Sequence, residues 1–132
     1  MPIIFRMKFT EKLMVAPAAS FHVLDEAKAK RLGGKTMYIP SVVQVRDLMN
    51  AIPYGHTITV KQARQQLADA HEAEITCPGA FNNYWKWLAR SAEHEGGLAL
   101  PWWRLTKDGK ANPQMPGGVE NHSQMMKSEQ SG

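Results

Sequence analysis

The stretch SVVQVRDLMNAIPYGHTITVKQARQQLADAH, residues 41–71, contains two helix starts separated by a tight turn. Ser41 and Thr59 are each followed three residues later by a glutamine. In this pattern a hydroxyl and an amide side chain cap a helix reciprocally. Apolar residues then recur at helical spacing, and Pro53 and Gly55 interrupt the two runs. The sequence therefore predicts two consecutive helices joined by a turn.

The flanking segments predict further helices. Residues 24–34, LDEAKAKRLGG, have acids first, bases last and glycines at the end, which suits a short helix and its dipole. Residues 36–40, TMYIP, are typical of an extended connection. Residues 81–94, FNNYWKWLARSAEH, have helical spacing and are followed by a helix-ending Gly96-Gly97. Residues 119–130, VENHSQMMKSEQ, predict a last helix.

Residues 98–110, LALPWWRLTKDGK, predict a strand that enters a turn at Asp108-Gly109 and returns through residues 110–115, KANPQM. Side chains alternate along an extended chain. We therefore expect Trp102 and Trp103 to point to opposite faces.

Helix, helix, helix and hairpin is the element order of a small winged helix-turn-helix domain. We predict an α/β fold of this kind, mostly helical with a short two-stranded wing. Residues 1–37 are predicted to form an N-terminal arm with a short helix, and residues 38–132 the winged-helix domain. Other small α/β domains use the same elements, so periodicity alone leaves the arrangement open.

Composition narrows the function classes. The chain has 132 residues and 43% apolar content, which fits one folded domain. No stretch approaches a membrane span, and residues 1–9 lack the features of a signal peptide. A single cysteine excludes an internal disulfide, and the five histidines show no metal-ligand spacing. We therefore expect a cytoplasmic protein without metal or cofactor.

The formal net charge is +4, and residues 1–50 hold eight Lys and Arg against four Asp and Glu. A basic excess of this size is compatible with nucleic-acid binding, although many proteins with other partners share it. For each individual lysine of KAKR, residues 28–31, a solvated helix end is the better interpretation.

Three short blocks in order, IPYG (52–55), PWWR (101–104) and Gly117-Gly118, resemble the DNA-binding domain of the methylated-DNA–protein cysteine alkyltransferases. The family has an alkyl-accepting cysteine and a proton-relaying histidine where this chain has Trp102 and Trp103. Tryptophan offers only an indole N–H and cannot accept an alkyl group. We therefore expect no alkyl transfer and no catalytic residue.

The alkyltransferase-like subgroup also has tryptophan at the acceptor position. Its members bind DNA that carries O6-alkylguanine, rotate the base out of the helix and mark it for repair proteins. The resemblance implies the same function here, with double-stranded DNA as partner and a repair protein as a further one. It also implies that Trp102 lines a base-sized pocket while Trp103 faces the packed side. The implied pocket residues are Pro101, Trp102, Arg104, Gly117 and Gly118.

The remaining DNA contacts are expected from polar and basic residues of the two helices after the turn. They are Thr59, Lys61, Arg64, Asn82, Asn83, Lys86 and Arg90. Two departures from the family stand out. Val60 replaces the tyrosine that helps to rotate the target phosphate, and no arginine matches the finger that fills the gap left by the base.

An alternative from another class is a winged-helix module used for protein interaction, or for DNA without a lesion, whose pocket is filled by Trp102 and Trp103. In that case both tryptophans are core residues. The DNA sensor instead requires a basic surface around residues 55–64 and 82–90 and an open cleft beside Trp102. We interpret Glu129 as a surface carboxylate and Cys77 as an idle thiol. No motif in the sequence supports a third class, an enzyme with unrelated chemistry.

Overall fold

A computed structural model describes residues 9–94 and 99–131, which form an α/β fold with six helices and five short strands. The predicted fold class is therefore confirmed at this level. The helices are α1 Phe9–Met14, α2 Glu26–Leu32, α3 Val42–Ala51, α4 Val60–Ala70, α5 Pro78–His94 and α6 Gly118–Ser131. The strands are β1 Ser20–Val23, β2 Thr36–Ile39, β3 Ile58–Thr59, β4 Ile75–Thr76 and β5 Leu105–Thr106.

Both predicted capping boxes are present. The Ser41 hydroxyl accepts from the Gln44 backbone N–H, while the Gln44 side chain accepts from the Ser41 N–H. Thr59 and Gln62 make the same pair of bonds at the start of α4. Each box satisfies backbone donors that a helix start leaves without intrahelical partners. Because these bonds join residues only three positions apart, the sequence predicts the starts of α3 and α4 correctly.

Helix α5 begins at Pro78, three residues before its predicted start. Proline suits the first helical position because its fixed φ is helical and its missing N–H would have no partner there. The residue before it, Cys77, accepts from the Phe81 N–H. The predicted end of this helix at Gly96-Gly97 lies outside the described residues.

The first sheet ties the N-terminal segment to the rest of the fold. Strand β1 pairs antiparallel with β2, which pairs parallel with β4. Helix α1 packs against α5. The described part of the predicted N-terminal arm, residues 9–37, is thus joined to the rest of the fold by strand pairing and by helix packing. The predicted division after residue 37 falls inside β2.

The second sheet corrects the predicted hairpin. Residues Trp102–Arg104 form one 3-10 turn, and the short β5 that follows pairs parallel with β3. The return strand is reduced to a single antiparallel bridge between Lys107 and Lys110. The turn between them is confirmed, since Asp108 and Gly109 both have positive φ. The ladder does not continue because the next two partners bond to the His122 ring instead: the Asn112 N–H donates to Nδ1, and the Leu105 carbonyl oxygen lies 3.1 Å from Nε2.

The main core lies beneath α5. Trp85, Phe81 and Leu88 come from this helix, and they pack with Met49 of α3 and with Trp102. The core therefore holds α3, α4, α5 and the 3-10 turn together. The opposite face of α5, which includes Asn82 and Asn83, is exposed.

Candidate nucleic-acid interface

The structure joins two of the three sequence blocks, IPYG and PWWR, through one ion pair with Glu129 of α6. Arg104 donates to both carboxylate oxygens of Glu129, at 3.0 Å from Nε to Oε1 and 2.7 Å from Nη2 to Oε2. Its third bond runs from Nη1 to the carbonyl oxygen of Ile52, at 2.8 Å. The Gly55 N–H donates to Glu129 Oε1 at 3.4 Å. The 52–55 turn is thus anchored to the 3-10 turn and to α6.

The interpretation of Glu129 as a surface carboxylate is wrong. Its side chain is only 10% exposed, and the Arg104 hydrogen bonds lower its pKa against the opposing effect of burial. The indole N–H of Trp103 also lowers the pKa of Glu129, because a nearby donor stabilises the ionised carboxylate. This N–H is buried, but its geometry is not that of a hydrogen bond. Glu129 points inward because α6 is held against the 3-10 turn.

Arg104 is not a free cation for DNA phosphates. Its charge is neutralised by Glu129, and its guanidinium lies 5.6 Å from the ring centroid of Tyr54. Tyr54 itself is largely exposed. This cluster therefore holds the turn in place, and its exposed face is the phenol ring rather than a positive charge.

The expected environments of the two tryptophans are reversed. Trp102 has no exposed surface, and its Nε1 donates to Glu93 at 2.9 Å. Trp103 is only partly buried, and its ring lies edge-to-face with Trp102. The physical reason is the 3-10 turn, in which successive side chains are about 120° apart instead of alternating. The open position beside Trp102 that the sensor requires is not present at this side chain.

The other predicted pocket residues border the same turn. Pro101 precedes it, and Gly117 and Gly118 lead into α6, both with positive φ. A Cβ at Gly117 would lie 2.5 Å from the Cβ of Asn121. Gly117 is therefore required by the backbone and by the approach of α6, independently of any ligand.

Sequence reasoning missed His122. This histidine is fully buried; its Nδ1 accepts from the Asn112 N–H at 2.9 Å, and Nε2 bridges the carbonyl oxygens of Trp103 and Leu105. Burial lowers its pKa, so the ring is neutral with the proton on Nε2. One signal was available, because residues 118, 122, 125 and 129 share one face of a helix.

A cleft of about 230 Å³ opens between α4, α5 and the 107–110 turn. Helix α4 contributes Lys61 and Arg64, α5 contributes Asn82 and Lys86, and the turn contributes Lys107. Asp108 is the one carboxylate among its lining residues. Thus four of the seven predicted DNA-contacting residues meet at one place, together with Lys107, which was not predicted.

The other three predicted residues lie elsewhere or serve the fold. Thr59 caps α4. Arg90 donates from Nη2 to the Gln114 carbonyl oxygen at 3.1 Å, which ties α5 to the loop after the turn. Asn83 is exposed on α5 next to the cleft but does not line it.

None of the four cleft cations forms an ion pair within the part of the chain that the structure describes, although Asp108 lines the same cleft. The ion pairs of Arg46 with Asp47 and of Arg104 with Glu129 both lie outside the cleft. The Nε of Arg64 is buried without a hydrogen-bond acceptor. The cleft therefore carries a net positive charge, which favours an anion.

Two larger cavities lie away from these cations. One of about 590 Å³ borders α3 and the 52–58 turn, with Leu48, Ile52 and Leu67 among its lining residues. Another of about 510 Å³ contains Cys77, with Lys28 and Arg31 of α2. Within the described ranges, no three His, Cys, Asp or Glu residues come together as a metal site.

No described helix combines the length and apolar character needed to cross a membrane. Comparison of the chain with protein-family models, with curated proteins and with solved structures yields no match.

Proposed function

We propose that this chain is a non-enzymatic protein that binds double-stranded DNA through the cleft of Lys61, Arg64, Lys86 and Lys107. The observation that carries the proposal is the meeting of four cations from three elements beside a single carboxylate, Asp108, with which none of them forms an ion pair. Such a group repels itself, and a polyanion offers the phosphates that would neutralise it.

We further propose that the arrangement acts as a winged helix-turn-helix. In this proposal α5 is the recognition helix, α4 precedes it, and the 107–110 turn is a minimal wing. The supporting features are the side chains at exposed positions near the start of α5, Asn82 and Asn83, and the cleft cation Lys86 one turn further on. Amide side chains are suited to reading base edges, and the flanking cations to positioning on the backbone.

The proposal does not require an alkylated base. Trp102 stands where the family that the sequence resembles has its acceptor cysteine, and its full burial leaves no ring face for an extruded base. Its indole N–H is also committed to Glu93. DNA binding without lesion selectivity is therefore the form that the geometry supports best, and O6-alkylguanine sensing requires Trp102 to leave the core.

Protein interaction is a second candidate because of apolar surface at the opposite end of the chain. Met14, Val15 and the edge-strand residues Phe21 and Val23 are at least half exposed. Exposed apolar groups on a sheet edge are typical of surfaces that pair with another chain. They lie on α1 to β1, away from the basic cleft.

Fluorescence anisotropy with a labelled plain duplex tests the proposal. We expect affinity to fall with salt at a log–log slope of about 0.9 for each phosphate neutralised. Lys86→Ala should weaken binding and flatten this slope. Lys30→Ala, on the exposed face of α2 outside the cleft, is the matched control and should do neither. Absence of duplex binding at low salt would favour the protein-interaction candidate.

A further inference from the structure

The side chains that line the 230 Å³ cleft carry more positive than negative charge. Lys61, Arg64, Lys86 and Lys107 face Asp108, so the lining carries a formal excess of three positive charges. An excess of this kind in a small recess is relieved by one compact, multiply charged anion more effectively than by scattered counter-ions.

Arg64 differs from the three lysines of the cleft because its planar guanidinium donates hydrogen bonds in fixed directions. Its side chain lies between this cleft and a second one of about 200 Å³ that is lined by Thr76 and Pro78, and its Nε is buried without an acceptor. A buried donor without a partner costs free energy, which a bound acceptor recovers once the guanidinium turns to expose Nε to the cleft. Guanidinium groups match phosphate oxygens in geometry and donate two parallel bonds to them.

The volume limits the ligand. At roughly 30 Å³ per water, the cleft holds about eight waters. This is below the range of pockets for drug-sized ligands, which begins at about 300 Å³. A phosphate group with part of its hydration shell fits, whereas a whole nucleotide does not.

We propose that this cleft is a discrete phosphate-binding site, with Arg64 as its directional donor and Lys61, Lys86 and Lys107 as its neutralising cations. The inference deepens the proposed function and rests on it only for the source of the phosphate. That source is either a backbone phosphodiester of the duplex or a terminal or free phosphate.

Titration with inorganic phosphate, followed at the Arg64 Nε–H resonance by NMR, tests the site directly. We expect a saturable shift of this resonance. Lys107→Ala should weaken the binding about tenfold, which corresponds to the loss of one charge-assisted hydrogen bond. A shift that grows linearly with phosphate, or no shift at all, would overturn the site.

Lys110→Ala is the matched control. Lys107 and Lys110 are both exposed and bond to each other only through the backbone, at 2.9 Å in each direction, so either side chain can be removed without breaking the turn. Only Lys107 lines the cleft. Equal effects of the two substitutions on phosphate binding would contradict a discrete site and indicate general charge.

Duplexes with 5′-phosphate and 5′-hydroxyl ends distinguish the sources. If Lys107→Ala weakens binding of both duplexes, the site takes a backbone phosphate; if it affects only the 5′-phosphorylated one, the site takes a terminal phosphate. Saturable inorganic phosphate binding without duplex binding would support the site and contradict the proposed function. Duplex binding that Lys86→Ala weakens but Lys107→Ala does not, with no shift of the Arg64 Nε–H on addition of inorganic phosphate, would contradict the discrete site and keep the proposed function.

Discussion

The guanidinium of Arg104 and the carboxylate of Glu129 form a two-bond ion pair across 25 residues of sequence, and both side chains are largely buried. The pair also holds the backbone of the 52–55 turn at Ile52 and Gly55. Its role is therefore to fix the turn between α3 and β3 relative to α6, and the fold depends on both partners.

Removing the carboxylate charge should destabilise the protein. We expect Glu129→Gln to lower the free energy of unfolding by about 1.5–3 kcal/mol, because Arg104 loses charge-assisted bonds in a partly desolvated place. Urea denaturation measures the change. The control is Asp47→Asn, which breaks the exposed Arg46–Asp47 pair and should cost under about 1 kcal/mol. A cost at Glu129 no larger than at Asp47 would refute the anchoring role.

Acid should destabilise the fold in two stages. The folded-state pKa values of His122 and Glu129 are both lowered, so the unfolded state binds more protons as pH falls. The contribution of His122 is complete above its unfolded pKa near 6.5 and is lost as pH falls below it; that of Glu129 is lost below about 4.5. Thermal melts from pH 7.5 to about pH 2 measure both stages.

His122→Gln isolates the first stage. A glutamine can make some of the same bonds but does not titrate, so the loss of stability between pH 7 and pH 5 should become smaller in this variant. An unchanged slope would mean that another group is responsible for the acid sensitivity.

The two tryptophans should respond differently to truncation. Trp102→Ala should cost about 3–5 kcal/mol, since a fully buried aromatic side chain is removed from the core. Trp103→Ala should cost less, because that side chain is partly exposed and its N–H makes no hydrogen bond. Thermal melts of both variants give the comparison, and a larger loss at Trp103 would contradict the structure.

The protein should transfer no alkyl group from DNA and should show no preference for O6-methylguanine. Trp102 has no thiol, and Cys77 lies in a separate cavity beside α2. Mass spectrometry after incubation with O6-methylguanine DNA should show no added methylene. Competition between plain and O6-methylguanine duplexes should give equal affinities. A modified Cys77, or a selectivity that Trp102→Phe abolishes, would require a different function.

Local chemistry in the sequence determined where the helices begin and where the turn lies. Ser41 with Gln44, Thr59 with Gln62, and Asp108 with Gly109 act on backbone groups within four residues, so their effect is the same whatever the rest of the chain does. The sequence also predicts Lys61, Arg64 and Lys86 as DNA contacts, because these residues lie on the two helices that it predicts after the turn.

Tertiary structure alone decided the environments of Trp102, Glu129, His122 and Lys107. The parallel pairing of β5 with β3 replaces the hairpin, and the 3-10 turn before it rotates Trp102 inward. Pairing partners 47 residues apart leave no local pattern in the sequence. Helix α6 packs on that 3-10 turn and thereby buries Glu129 and His122. Burial depends on what lies opposite a side chain in space and not on its neighbours along the chain.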